Sequence, residues 1–161
     1  MADRKKDNDD AVIAANIQVH SFLAESGEYN RSPHFRPENQ AKVRRLLEAL
    51  VTSSDTVGYT PTGIDFGCGT GFIINLVKDL LSEVHGVDVT ESMMNQIDLS
   101  SGNVYLHLSH AESTPFPDGT FDFAFAYSFM DHLSDYADFL SEAFRVLKPG
   151  GVLYSDLNPN R

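Results

Sequence analysis

The 161-residue sequence contains one cysteine, Cys68, and no tryptophan. A single cysteine excludes both an intramolecular disulfide framework and a cysteine-based zinc site. Basic residues are also scarce, because 12 Lys and Arg stand against 23 Asp and Glu for a net charge of −11. Nucleic-acid binding depends on basic side chains that neutralise phosphates. We therefore expect no nucleic-acid partner.

Long apolar runs are absent too. No stretch approaches the length that a membrane span needs, and the first ten residues lack the apolar core of a signal peptide. These features predict a cytoplasmic protein without a membrane partner. The length favours one domain, and a hydrophobic content of 42% is ordinary for a chain that folds around a core.

A glycine-rich turn joins a predicted strand to a predicted helix. The strand ends at Phe66, the helix spans residues 72–81, and the turn between them contains Gly67, Gly69 and Gly71. Glycine lets the backbone approach a ligand closely because it has no Cβ. The helix N-terminus offers free amides and the positive end of its dipole. The segment is typical of a nucleotide-binding corner, although glycines that only turn the chain are the plainer alternative.

Asp88 lies 21 positions after Gly67, at the end of a second apolar run. A βαβ unit places an acid about 20 residues beyond its glycines, where the carboxylate holds ribose hydroxyls. The dinucleotide fingerprint G-x-G-x-x-G is not matched, because Phe72 occupies the third glycine position. An NAD-dependent oxidoreductase is therefore disfavoured but stays an alternative.

Segments with helical and strand periodicity alternate along the chain. Apolar spacing predicts a helix from Asp10 to about Ala24 and a second helix from Pro37 to about Val51. Beyond the corner we predict strands at 84–88, 104–108, 121–127 and 152–155, and helices at 91–99 and from 134 or 135 to 147. Alternating strands and helices predict an α/β fold with a parallel sheet covered on both faces.

The N-terminal part is predicted to be separate in role. Residues 1–9 are charged and expected to be loose, and residues 52–61 are expected to be a linker. Residues 1–60 then form a helical extension or lid, and residues 61–161 form the core.

Four blocks, at residues 65–71, 86–94, 111–122 and 145–151, occur in an order that resembles the class I S-adenosylmethionine-dependent methyltransferases. The similarity is to the small-molecule branch that includes ubiquinone and sterol methyltransferases. It implies a Rossmann-like three-layer sandwich with strand order 3-2-1-4-5. It also implies S-adenosylmethionine as cofactor, a small-molecule methyl acceptor and an in-line displacement that depends mainly on alignment.

The resemblance also assigns the cofactor's surroundings. It places Asp65 at the methionine end, near positive groups, and Asp88 on the ribose. Val89 and Met93 would flank the adenine, and Tyr127 would lie beside the sulfonium. The implied cofactor-binding set is Asp65, Gly67, Cys68, Gly69, Thr70, Gly71, Asp88, Val89, Met93, His110, Ala111, Glu112 and Tyr127.

His110 departs from the family pattern, which has Asp before the Ala-Glu pair. A neutral imidazole can accept one hydrogen bond, so we expect cofactor binding to persist with a lower affinity or a pH dependence near neutrality.

His132 and Tyr29 are the candidate catalytic residues. His132 follows the fourth predicted strand, where open α/β sheets bind ligands, and a histidine is the usual general base. A histidine that only stabilises a loop or helix start is an equally open interpretation. Tyr29 lies in a stretch that resembles the family's N-terminal lid, as does Arg36, which could pair with a carboxylate of the ligand. No metal site is expected.

The family's sheet has seven strands, and its last two form a hairpin that covers strand five. This sequence ends at Arg161, before such a hairpin. Exposed edge strands are seldom left open. We expect the edge to be covered by a dimer partner, another chain or the N-terminal segment, or the chain to be a piece of a longer protein. A non-catalytic subunit that needs a partner is the second functional hypothesis.

Overall fold

The computed structural model describes residues 2–53, 58–133 and 135–157, without the side chains of residues 2–10 and 30. Five parallel strands form one sheet in the order β3-β2-β1-β4-β5. The order and the α/β class predicted from the sequence are confirmed. The strands are β1 Thr62–Phe66, β2 Glu83–Asp88, β3 Val104–Leu108, β4 Phe121–Tyr127 and β5 Leu147–Asp156.

Five α-helices accompany the sheet in the described part of the chain. They are α1 Ala2–Glu25, α2 Pro37–Ser53, α3 Phe72–Val77, α4 Glu91–Met94 and α5 Tyr136–Val146. Short 3-10 turns occur at Tyr29–Arg31, Pro33–Phe35 and Met130–His132.

Several predicted boundaries were wrong. The prediction of a loose segment at residues 1–9 fails from Ala2 onward, because α1 begins there; Met1 lies outside the described residues. Helix α3 ends at Val77 rather than at residue 81, and α4 ends at Met94 rather than at residue 99. Of the two proposed starts of α5, Asp135 is the cap, because its carboxylate accepts from the Ala137 amide at 2.9 Å. Ser134 lies outside the described residues, as does part of the expected linker, residues 54–57.

Apolar layers cover both faces of the sheet. Strand β4 is buried along its whole length, as a central parallel strand requires. On one face Phe123 and Phe125 pack with α2 and α3, and on the other Phe66 and Ile64 pack with Phe139 of α5. The helices therefore hold the carboxyl ends of β1, β2 and β4 at one rim of the sheet.

Strand β5 is the outer strand on its side of the sheet. It begins at Leu147, earlier than the predicted residue 152, because residues 148–151 form a bulge within the strand. Phe121 pairs with Leu147 and Phe123 pairs with Val152, and Gly150 takes a φ of +84° inside this irregularity. Helix α1 contacts α4 instead of this edge. The N-terminal helix therefore does not cover β5.

None of the helices that the structure describes combines the length and the hydrophobicity that a membrane span requires.

Candidate cofactor-binding site

A cavity of about 310 Å³ opens where β1, β2 and β4 end. This volume lies at the lower end of the range found for small-molecule pockets. Tyr29 and His132, the two candidate catalytic residues, line the cavity. Eight of the predicted cofactor-binding residues also line it: Gly67, Gly69, Asp88, Val89, Met93, His110, Ala111 and Glu112.

The turn after β1 is fixed to the end of β2. The amides of Gly67 and Cys68 both donate to the Val87 carbonyl, at 2.8 and 3.0 Å. Gly67 has a φ of +66°, and a Cβ added there would lie 2.1 Å from Cδ2 of Phe129. Only glycine fits this position, because any side chain would collide with the Phe129 ring.

Asp88 links the glycine turn to the segment after β2. One carboxylate oxygen accepts from the Gly69 amide at 2.8 Å, and the other accepts from the Thr90 amide at 2.8 Å. An ionised carboxylate offers about four acceptor sites. Each oxygen of Asp88 therefore retains capacity for one more donor, which is what two ribose hydroxyls require.

Four predicted residues lie beside the main cavity rather than in it. A second cleft of about 20 Å³ is lined in part by Asp65, Cys68, Thr70 and Tyr127, and it shares Tyr29 and Gly67 with the main cavity. Burial, and then the charge of Asp88, raise the pKa of Asp65 well above its usual value. Burial therefore makes the ionised form of Asp65 costly. A bound cation beside Asp65 would favour that form and offset the cost of burial.

Stacking and a hydrogen bond fix the Tyr127 side chain, and burial determines the protonation of the Cys68 thiol. The Tyr127 ring stacks on Phe72 with 4.7 Å between centroids, and its hydroxyl accepts from Asn39 Nδ2 at 2.9 Å. Burial raises the pKa of the Cys68 thiol, which leaves it protonated and unreactive.

Gly71 lines neither cavity. It is the N-cap of α3, with a φ of +86°, and an added Cβ would lie 3.0 Å from Cγ1 of Ile97. Its role in this structure is to let the helix start against the core.

Tyr29 lies over the glycine turn. A Cβ added to Gly69 would lie 3.4 Å from the Tyr29 hydroxyl. Burial, together with the charges of Asp88 and Asp65, raises the pKa of Tyr29 to about 12. The phenol therefore stays protonated at neutral pH and can donate a hydrogen bond. Arg36 is exposed and lines neither cavity, so its predicted pairing with a ligand carboxylate has no support here.

Helix α1 supplies a cavity wall whose individual residues were not predicted from the sequence. Val12, Ile13, Asn16 and His20 all line the cavity. The spacing of 13, 16 and 20 places these side chains on one face of a helix, so the pattern was present in the sequence. Nothing local indicated that this face would lie over the glycine turn.

Three further histidines, His20, His34 and His85, have partners in the structure. His20 packs edge-on against His132, with 4.9 Å between ring centroids. His85 Nδ1 lies 3.0 Å from His107 Nε2, away from the cavity. His34 hydrogen-bonds the Ser32 hydroxyl at 2.8 Å. Among the described residues, no group of three or more His, Cys, Asp or Glu side chains is arranged to hold a metal ion.

The charge of the cavity favours a cationic ligand over a phosphate. No Lys or Arg lines it within the described ranges, whereas four acids do: Asp88, Glu112, Asp135 and Asp138. A pyrophosphate would need basic side chains or a row of free amides, and S-adenosylmethionine carries a sulfonium and an ammonium group instead. The residues present therefore fit this cofactor, which supplies an electrophilic methyl group when bound.

Comparison with known proteins agrees with this chemistry. Residues 64–155, more than half of the chain, match the methyltransferase domain family. A Mycolicibacterium smegmatis protein, named as a probable S-adenosylmethionine-dependent methyltransferase, is 34% identical over 98 residues, which cover 61% of this chain and 38% of that protein. The demethylmenaquinone methyltransferase of Staphylococcus saprophyticus is 31% identical over 149 residues, which cover 87% of this chain and 62% of the relative.

A solved structure supports the same grouping. The S-adenosylmethionine-dependent methyltransferase of Aquifex aeolicus superposes with a TM-score of 0.60 at 25% identity, over 74% of this chain and 71% of that chain.

The strand order and the acid at the end of β2 are those of the class I S-adenosylmethionine-dependent methyltransferases, so the resemblance seen in the sequence is confirmed. The chain belongs to the methyltransferase domain family. S-adenosylmethionine is the cofactor that this membership implies, and the oxidoreductase alternative is left without support. The chain spans 38% of its M. smegmatis relative and 62% of its S. saprophyticus relative.

Proposed function

We propose that this chain binds S-adenosylmethionine in the main cavity and transfers the methyl group to a small molecule. The observation that carries this proposal is the position of Asp88, whose two oxygens hold the Gly69 and Thr90 amides while facing the cavity. In this arrangement Asp88 binds the ribose, and Val89 and Met93 contact the adenine beside His110, Ala111 and Glu112. Asp65 in the adjoining cleft interacts with the positive end of the cofactor.

Calorimetric titration with S-adenosylmethionine and S-adenosylhomocysteine tests the cofactor assignment. Two hydrogen bonds to a charged carboxylate contribute about 1.5–3 kcal/mol each. We therefore expect Asp88→Asn to weaken binding by at least about 100-fold. Asp98→Asn is the matched control, because Asp98 lies outside both cavities.

Circular dichroism establishes that Asp88→Asn is folded, and adenosine should compete with the cofactor because it shares the ribose and the adenine. Equal affinities of wild type and Asp88→Asn, in folded samples, would contradict the proposed site.

The acceptor is proposed to be a small molecule because the cavity is enclosed by α1 and acidic. One relative is named as a demethylmenaquinone methyltransferase, and this name supports a small-molecule acceptor. Residues 1–60 are proposed to act as a lid over the core, residues 61–161. The cytoplasmic location stays a prediction.

A partner for the β5 edge is a further part of the proposal. Strand β5 is the outer strand, and α1 lies elsewhere, so we infer that a second copy, another chain or a further part of a longer protein covers this edge. The non-catalytic subunit hypothesis depends on the same edge. Light scattering of the isolated chain gives its oligomeric state, and a methyl-transfer assay separates the two hypotheses. A stable monomer with an accessible β5 would contradict the inference of a partner.

A further inference from the structure

The wall of the cavity formed by α1 and the turn Met130–His132 contains residues to which the cofactor assignment gives no role. The apolar ones are Val12, Ile13 and Leu133, and the ionisable ones are His20 and His132. This wall therefore combines a surface for an apolar body with a pair of imidazoles. It is the part of the cavity left for the methyl acceptor.

His20 lies between the proposed catalytic residues. Its ring is 4.9 Å from the ring of His132 and 5.8 Å from the ring of Tyr29, measured between centroids. The Tyr29 hydroxyl in turn lies over Gly69 in the glycine turn. The Tyr29 ring therefore lies between His20 and the glycine turn that would hold the cofactor.

Polar contacts from three parts of α1 fix this position. Asn16 Nδ2 donates to the His132 carbonyl at 3.4 Å, next to the imidazole that His20 contacts. Farther along the helix, the Ser92 hydroxyl donates to the Ser21 hydroxyl at 3.0 Å, and a Gln96 amide donates to the Ala24 carbonyl at 3.0 Å. The His20 ring is thus oriented by its helix rather than by a loop.

The surroundings of His20 favour its neutral form. Burial and the neighbouring His132 lower its pKa, and the more distant carboxylates of Asp88 and Asp131 only partly oppose this shift. Tyr29, the remaining titratable group beside it, stays protonated because its own pKa is raised to about 12. At neutral pH His20 therefore has a free lone pair with which to accept a proton.

We propose that His20 is the proton acceptor for the methyl acceptor's reacting group, and that this acceptor is a hydroxyl-bearing apolar molecule without negative charge, such as a phenol. This inference rests on the proposed function. The acceptor oxygen forms a bond to the methyl carbon, whose bond to sulfur breaks with its electron pair left on sulfur. The hydroxyl proton passes to the His20 imidazole and from there to water.

The absence of Lys and Arg from the lining, within the described part of the chain, leaves an anionic acceptor without a counter-charge. The apolar side chains of Val12, Ile13 and Leu133 match the body of a phenol, whose hydroxyl can then face His20. His132 acts as a positioning residue, because its ring contacts the His20 ring edge-on.

Methyl transfer to two phenols tests the role of His20. A general base contributes about 10²–10⁴-fold, so we expect His20→Gln to lower kcat with 4-methylphenol by at least about 100-fold. The fall in kcat at saturating acceptor should be much smaller with 4-nitrophenol, which is already largely ionised at a mildly alkaline pH. Its KM should be higher than that of 4-methylphenol, because the lining offers an anion no counter-charge. Affinity for S-adenosylhomocysteine should stay within about threefold, since His20 contacts no predicted cofactor group. Gln18→Ala, an exposed position on α1, is the control for damage to the helix.

Histidine NMR titration supplies a readout that needs no acceptor. We expect His20 to titrate below its ordinary pKa and to titrate higher in His132→Asn, because His132 is one of the causes that lower the pKa of His20. A His20 that is protonated at pH 7, or one that His132→Asn leaves unchanged, would overturn the proposal. So would equal losses with both phenols, or a cofactor-binding enzyme that methylates neither phenol. Failure to bind S-adenosylmethionine would instead refute the proposed function, and the inference would fall with it.

Discussion

Gly67→Ala is the substitution whose cost the structure defines most directly. The residue has a φ of +66°, and an added Cβ would lie 2.1, 2.7 and 2.9 Å from three carbons of the Phe129 ring. The left-handed conformation costs a non-glycine residue about 1–2 kcal/mol. Phe129 cannot yield freely, because its ring packs on Phe139 with 5.3 Å between centroids. Overpacking of this kind adds about 1–3 kcal/mol.

Gly102→Ala isolates the backbone contribution. Gly102 has a similar φ of +76°, but nothing lies within 4 Å of its added Cβ. We expect Gly102→Ala to lower the free energy of unfolding by about 1–2 kcal/mol and Gly67→Ala to lower it by about 2–5 kcal/mol.

Urea unfolding, fitted with one common m-value for wild type and both variants, measures the difference in the free energy of unfolding. The overlap with Phe129 should also displace this ring in the cavity that it lines, so Gly67→Ala should lose affinity for S-adenosylhomocysteine while Gly102→Ala keeps it. Equal destabilisation by the two substitutions would refute the argument from close approach.

Three other substitutions test the electrostatics of the fold. Glu142→Gln should destabilise by roughly 3 kcal/mol at pH 7, because an ionised pair with Arg145 lowers the Glu142 pKa to about 2. In wild type this contribution should fade as pH falls from 4.5 towards 2, seen by thermal unfolding, and a pH-independent difference would contradict it. Burial, and then His85, lower the pKa of His107, so wild type should lose stability below pH 6.5, where the unfolded state binds more protons. His107→Gln should make the loss of stability below pH 6.5 less steep. An unchanged loss would contradict a contribution from the His85–His107 pair. Asp65→Asn should raise the melting temperature without ligand, because the raised pKa of Asp65 makes its ionisation costly at neutral pH, while cofactor affinity falls. A less stable variant would show that Asp65 serves the fold instead.

The core of the fold was predictable because it depends on local patterns. The apolar run of β4, the glycine turn and Asp88 each carry their signal within a few residues, and the strand order followed from the resemblance. Helix ends were less predictable. Ala2, Arg4, Lys5 and Lys6 have high helix propensity, which favours the extension of α1 to Ala2 beyond its apolar positions. The reverse happens at Val77, where the helix ends although apolar residues continue to Leu81.

The residues of the candidate site were predictable from the sequence only where a motif contains them. The motif predicted residues next to the glycines and Asp88 that line the cavity, because sequence neighbours stay neighbours at a strand end. His20 and Phe129 were missed because they reach the cavity through tertiary placement, from α1 and from the segment after β4. Gly71, which the motif assigns to the cofactor, faces Ile97 in the structure and lines neither cavity.

The bulge in β5 limits what can add to the open side of the sheet. Pro149 has no amide hydrogen, and the register shift between Leu147 and Val152 interrupts the ladder, so only residues 152–156 offer a regular row of hydrogen-bonding groups. A stretch of about five residues is shorter than the roughly six or seven residues that a steric zipper uses. Any strand that docks here is therefore restricted in length and register, and the edge is a poor template for the open-ended stacking that leads to fibrils.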